Sequence, residues 1–166
     1  MTKSMIRALA LVGSSILLAT TGQATTAGGS MAVKATVQSS CSVSAVALDF
    51  GTVTLLGAGN QDNQSTLKVT CTSGTGYNVG LDAGLNGVDT THRSMTSGSN
   101  SLNYALYIDS NRTQNWGNTA PPDSTDTAVG TGNGTEQDLT VYGRIPGGQN
   151  VAPGLYTDTV TVSVYY

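Results

Sequence analysis

Apolar and polar residues alternate with a period of two along most of this chain. The runs are short and broken by Gly, Asn, Asp and Ser, and no helical period appears after residue 24. Period two sends successive side chains to opposite faces, so the pattern predicts an all-β protein. Residues 31–37 (MAVKATV) give the first predicted strand, with Met31, Val33, Ala35 and Val37 on one face. Cys41-Ser42-Val43 continues it or starts the next, and residues 48–51 (LDFG) and 53–56 are short extended pieces. Residues 66–72 predict a strand with Leu67, Val69 and Cys71 inward. Tyr77, Val79 and Leu81 mark another, followed by a turn at Asn86-Gly87. Leu102, Tyr104, Leu106 and Ile108 form the next, and residues 111–118 read as a hairpin arm or turn carrying Trp116. Residues 119–134 (TAPPDSTDTAVGTGNG) lack bulky apolar side chains and read as a long exposed loop. Leu139, Val141 and Tyr142-Gly143 form a strand, residues 146–154 a loop, and Tyr156, Val160, Val162 and Val164 the inner face of the last strand. About seven strands in one domain point to a β-sandwich. Trp116 follows both cysteines, which breaks the Cys…Trp…Cys order of an antibody domain.

The first residues do not belong to that domain. Lys3 and Arg7 precede an apolar run at residues 8–19 (ALALVGSSILLA), and Gly22-Gln23-Ala24 supplies small residues for cleavage. This anatomy predicts a secretory signal peptide over residues 1–24. The run is shorter than the roughly 20 residues a bilayer span needs, and no other segment qualifies. An exported chain that opens on an alternating segment and stops on an alternating strand invites strand exchange between subunits.

Export makes the two cysteines, Cys41 and Cys71, an expected disulfide, because the destination is oxidising. Closing that loop stabilises by ~3.6 kcal/mol on chain-entropy grounds. A two-thiol metal site lacks further ligands nearby. After residue 24 the chain keeps five cations (Lys34, Lys68, Arg93, Arg112, Arg144) against ten acids, a balance of −5. Such a surface argues against nucleic acid and against an anionic membrane.

Little chemistry is on offer. His92, the single histidine, lies in a polar stretch, and no serine sits in a nucleophile elbow. Asp123 and Asp126 lack the Gly and distal Glu of an EF-hand loop. No catalytic residue, metal or cofactor is expected, and the chain does not read as an enzyme. Trp116, Tyr107 and Tyr165 are the candidate exposed platforms if the protein were a lectin-like binding module; Tyr104 and Tyr156 lie on inward phases.

Several motifs occur together in one order. Residues 139–146 (LTVYGRIP), Gly148-Gln149 and residues 154–160 (GLYTDTV) form the last group. Residues 102–107 (LNYALY), Asp109 and Trp116-Gly117 precede them, and Cys41 and residues 48–51 (LDFG) stand further upstream. Over residues 31–166 this pattern resembles the spore coat protein U domain family, which includes pilin subunits of archaic, Csu-type chaperone–usher pili. The resemblance implies an immunoglobulin-like β-sandwich lacking one strand. A periplasmic chaperone fills the groove first, and at an outer-membrane usher the N-terminal segment of an identical or related subunit replaces it. The product is a surface fibre for adhesion and biofilm formation. A spore or cell coat role on the same fold is the related alternative.

The layout then expected is a signal peptide at 1–24, an extension carrying the donor strand at 25–38 and the domain at 39–166. Met31, Val33 and Ala35 are the candidate donor side chains, with Val37 at the margin. The competing reading makes 31–37 this subunit's own first strand, with residues 25–30 as donor, although that leader has no bulky apolar residue. Val160, Val162 and Val164 are expected to flank the acceptor groove; in a complete sandwich they are ordinary core residues.

Overall fold

A computed structural model describes residues 22–54, 57 and 59–166. The signal-peptide residues 1–21 and part of the extended piece at 53–56 lie outside the described residues. The chain divides into two units, Met1–Thr36 and Val37–Tyr166. In the first, residues 22–36 carry no regular secondary structure and are exposed throughout.

The second unit holds eight strands: β1 (Cys41–Ala45), β2 (Gln61–Cys71), β3 (Gly76–Leu81), β4 (Arg93–Ser97), β5 (Asn100–Tyr107), β6 (Ala128–Thr131), β7 (Glu136–Ile145) and β8 (Val162–Tyr165). They form a five-stranded sheet in the order β1-β2-β7-β5-β4 and a three-stranded sheet in the order β6-β3-β8. All paired strands are antiparallel. The architecture is an immunoglobulin-like β-sandwich with no helix among the described residues.

The predicted inward faces account for most of the core. Leu67, Val69, Cys71, Tyr77, Val79, Leu81, Leu102, Tyr104, Leu106 and Val141 are all buried, and Ile145, which the pattern did not single out, joins them. Each comes from an alternating run whose opposite face is more exposed, as period two requires. Leu48 and Phe50 lie in no strand but pack against this core. They sit where β7 carries Gly143: a Cβ there would meet Leu48 Cδ2 at 2.6 Å and Phe50 Cζ at 2.8 Å.

Three expectations need correction, and one strand was missed. Residues 31–37 form no strand, and the first strand begins at Cys41. Among the described residues no strand pairs with that segment. β4 was invisible because its best-buried residue is Arg93, at 0% exposure. Residues 119–134 are not one loop, since β6 lies within them. Its third residue, Gly130, leaves room for the ring of its cross-strand partner Tyr77, which a Cβ would meet at 2.3 Å. Trp116 is no exposed platform: it is 1% exposed and donates Nε1–H to Val79 O at 2.8 Å.

Candidate strand-acceptor groove

Two strands end their sheets on the same side of the sandwich. β1 closes one edge of the five-stranded sheet, β8 closes one edge of the three-stranded sheet, and the two are close in space. Neither has a second partner strand among the described residues. An unpaired edge presents a row of free N–H and C=O groups.

Hydrogen-bond parity tells which groups are free. Asp82 N–H donates to Thr161 O at 3.1 Å, so the bonded positions opposite β3 are Thr161, Ser163 and Tyr165. In antiparallel pairing the alternate residues point their backbone groups away. Val162 and Val164 therefore aim their N–H and C=O at the open edge. Consistently, Leu81, the partner of Val162, gives its N–H to Gly117 O at 2.8 Å instead. On β1, Thr72 N–H donates to Ser40 O and Val46 N–H to Thr66 O. The same parity leaves Cys41, Val43 and Ala45 facing outward.

The side chains agree with the backbone. Val160, Val162 and Val164, with Val43, lean on the core but are only partly buried, unlike the fully covered Val69 and Val79. In the first unit and its continuation, Met31 is 85%, Val33 81% and Val37 87% exposed, and Ala35 is exposed too. The structure thus holds an apolar alternating segment without a core and a partly covered apolar edge without a strand.

Disulfide Cys41–Cys71 fixes β1. The two cysteines are direct cross-strand partners with Cα atoms 4.1 Å apart. They occupy a non-bonded pair, where antiparallel strands approach most closely.

The start of the last strand is held by a polar corner that sequence reasoning missed. Asp82 Oδ1 accepts from Thr161 N at 2.8 Å and from Gly84 N at 2.9 Å. Asp158 Oδ1 accepts from Leu85 N at 3.0 Å and Asn86 Nδ2 at 2.9 Å, and its Oδ2 accepts from Tyr104 Oη at 2.6 Å. Thr157 exchanges two backbone bonds with Thr96 of β4. Beneath them Arg93 donates Nε to Asp82 O, Nη1 to Thr90 O, and Nη2 to both Leu81 O and Trp116 O, all at 2.6–2.7 Å.

Burial pushes the Asp82 carboxyl up, but the bonds from Gly84 and Thr161 outweigh it and hold it below the usual carboxylate range. Burial and the bond to Asp158 push the Tyr104 hydroxyl far up, so it stays a donor. Burial pulls the Arg93 guanidinium down from its ordinary value, opposed by Tyr104, Asp82, Asp158 and Asp126.

The other candidates do not converge. Asp126 binds Thr119 N and Oγ1, while Asp123 is exposed elsewhere on that loop. His92 is exposed and contacts Asp89. Tyr165 Oη reaches Asn118 Oδ1 at 3.0 Å, and Tyr107 is half-buried. Among the described residues no group of three or more His, Cys, Asp or Glu side chains is placed to hold a metal ion.

Comparison with known proteins gives consistent matches. The Spore Coat Protein U domain matches residues 27–163. Protein U of Myxococcus xanthus is 32% identical over 165 residues, covering 87% of each chain. Among solved structures, the chain is similar to one in the CsuC–CsuE chaperone–tip adhesion subunit pre-assembly complex from the archaic chaperone–usher Csu pili of Acinetobacter baumannii. That match has a TM-score of 0.59 at 27% identity and covers 79% of this chain. It covers 40% of the solved chain, so this chain spans about two fifths of that length.

Proposed function

The chain belongs to the spore coat protein U domain family, and on that premise we propose that it is a structural subunit of a chaperone–usher fibre, assembled by donor-strand exchange. In this reading residues 1–24 are removed on export and residues 25–38 are the donor extension. Residues 39–166 are the accepting domain. Met31, Val33, Ala35 and Val37 of one subunit enter the groove between β1 and β8 of the next. They cover Val160, Val162 and Val164 and pair the free backbone groups of that edge. A periplasmic chaperone holds the groove before that, an outer-membrane usher catalyses the exchange, and the fibre on the cell surface serves adhesion and biofilm formation.

The observation that carries this reading is the parity at β8. The valines with half-covered side chains are the ones whose backbone groups face the unpaired edge. A new strand there gains hydrogen bonds and apolar burial together. Burying Met31, Val33 and Val37 contributes about 1.5–3 kcal/mol each, before the cost of association.

A coat protein of the same fold is the second reading. The match to Protein U across 87% of both chains favours it, and it uses the same assembly step. The lectin-like alternative loses its best platform with the burial of Trp116.

The test compares thermal melts of two versions of the domain. One starts at Cys41; the other carries residues 30–37 fused after Tyr166 by a flexible linker. The fused version should be soluble, monomeric and much more stable, while the chain from residue 25 polymerises. Equal melts of two stable monomers would mean that the fold is already complete and that strand exchange is wrong.

A further inference from the structure

The last strand has a register problem. Val160, Val162 and Val164 repeat every two residues, so sliding this strand by two along β3 keeps every valine on the inner face. A one-residue slip is forbidden by burial, but a two-residue slip is not. β8 is only four residues long, pairs with β3 on one side and is nowhere fully buried. Apolar patterning and ladder bonds therefore do not single out one register.

The polar corner does. Asp82, following β3, accepts the N–H of Thr161, which precedes β8. Asp158, also preceding β8, accepts from Leu85 and Asn86, which follow β3, and from Tyr104 of β5. Each carboxylate reaches across to the other chain segment, but they differ in what they select: a shift of two residues would offer Asp82 the backbone N–H of Thr159 or Ser163 in place of that of Thr161, whereas it would carry the Asp158 side chain away from Leu85, Asn86 and Tyr104. Gly84, at φ +77°, is part of the fit: a Cβ there would meet Asp158 Oδ2 at 2.0 Å.

We propose that Asp158 is a positioning residue that sets the register of the acceptor strand, with Asp82 clamping the aligned segment, and so determines whether the donated strand of a second copy meets Val160, Val162 and Val164 in line. The assignment rests on the strand-exchange reading above. It separates two jobs: the valines receive the donor, and Asp158 decides where the valines stand.

The experiment uses the chain from residue 25 with Met31→Asp and Val33→Asp, which disables its own donor. The probe is a synthetic peptide of residues 29–38. Asp82→Asn, Asp158→Asn and, as an uncharged disruption of the same corner, Gly84→Ala are compared by amide exchange and by peptide affinity. The expected result is at least about tenfold faster exchange at Thr161, Ser163 and Tyr165, unchanged protection in β2 and β7, and at least about tenfold weaker peptide binding. Unchanged exchange over residues 159–165 in all three variants overturns the proposal. So does faster exchange spread evenly over both sheets, which indicates general loss of stability. If the parent chain takes up no peptide while the variants loosen residues 159–165 alone, the register assignment stands and the strand-exchange reading falls.

Discussion

Replacing Arg93 with Met tests how a fully buried cation holds this sandwich together. Arg93 is 0% exposed and makes no ion pair among the described residues; its partners are four backbone carbonyls. Two of them, Leu81 O and Trp116 O, are met at 2.7 Å in wholly buried surroundings, whereas Asp82 O and Thr90 O are half-buried and can recover water. A buried acceptor left without a donor costs about 1–3 kcal/mol, so Arg93→Met strands two and costs roughly 2–6 kcal/mol in all. The guanidinium's own desolvation no longer has to be met, which offsets part of this. A net loss of about 3 kcal/mol follows. With a urea slope of about 2 kcal/mol per molar, the midpoint falls by about 1.5 M. Arg93→Lys keeps the charge but offers three donors on one nitrogen, too compact to fork to four carbonyls, and should fall between. The assay is urea unfolding with the disulfide intact, at one protein concentration, followed by the fluorescence of Trp116, the single tryptophan. A midpoint for Arg93→Met within about 0.3 M of the parent would refute the reasoning: the four bonds would then do no more than balance desolvation.

Three further outcomes are expected. Replacing Cys41 and Cys71 with Ser should lower stability by about 3–4 kcal/mol, read as a drop in thermal midpoint, with exchange rising first in β1. Asp82 has a folded pKa below its unfolded one, so its contribution is present above about pH 4 and is lost as pH falls through the lower folded value. The parent should therefore lose more stability between pH 6 and pH 3 than Asp82→Asn does, measured by unfolding midpoints across that range. Gly143→Ala should destabilise by about 1–3 kcal/mol, because its Cβ displaces Leu48 and Phe50; parent-like stability would show that residues 48–50 move aside freely.

How much of this was written in the sequence depended on what each strand packs. β3, β5, β7 and the second half of β2 were legible because each carries a run of Leu, Val, Tyr or Cys at alternate positions, while the polar first half of β2, Gln61–Ser65, gave no such signal. The alternation at 31–37 was equally clear, yet no strand forms there, because periodicity reports an apolar face and not whether anything covers it. β4 and β6 were hidden for opposite reasons. Arg93 is a charge made burial-competent by carbonyls from 12 and 23 residues away, which no local pattern reveals. Gly130 is small because the Tyr77 ring fills the space beside it, and with Ala128 opposite Val79 the strand presents no bulky apolar side chain to the core. Trp116 was misplaced through its polar neighbours, although its indole N–H had a strand carbonyl to reach. Of the candidate groove, the valines were legible and the corner that aligns them was not, since Asp82 and Asp158 lie 76 residues apart in sequence.

The covalent tie at Cys41 acquires a mechanical meaning if such domains are strung end to end. Only residues 38–40 separate Val37 from the first residue of β1. Tension along the leader would arrive at Cys41, and β1 alone has five rungs to resist peeling. The bridge passes the pull straight to Cys71 and into β2, which is paired with β7 along ten rungs running lengthwise. Force that would unzip an edge strand one bond at a time is converted into shear across the middle of the sheet, where many bonds must break together.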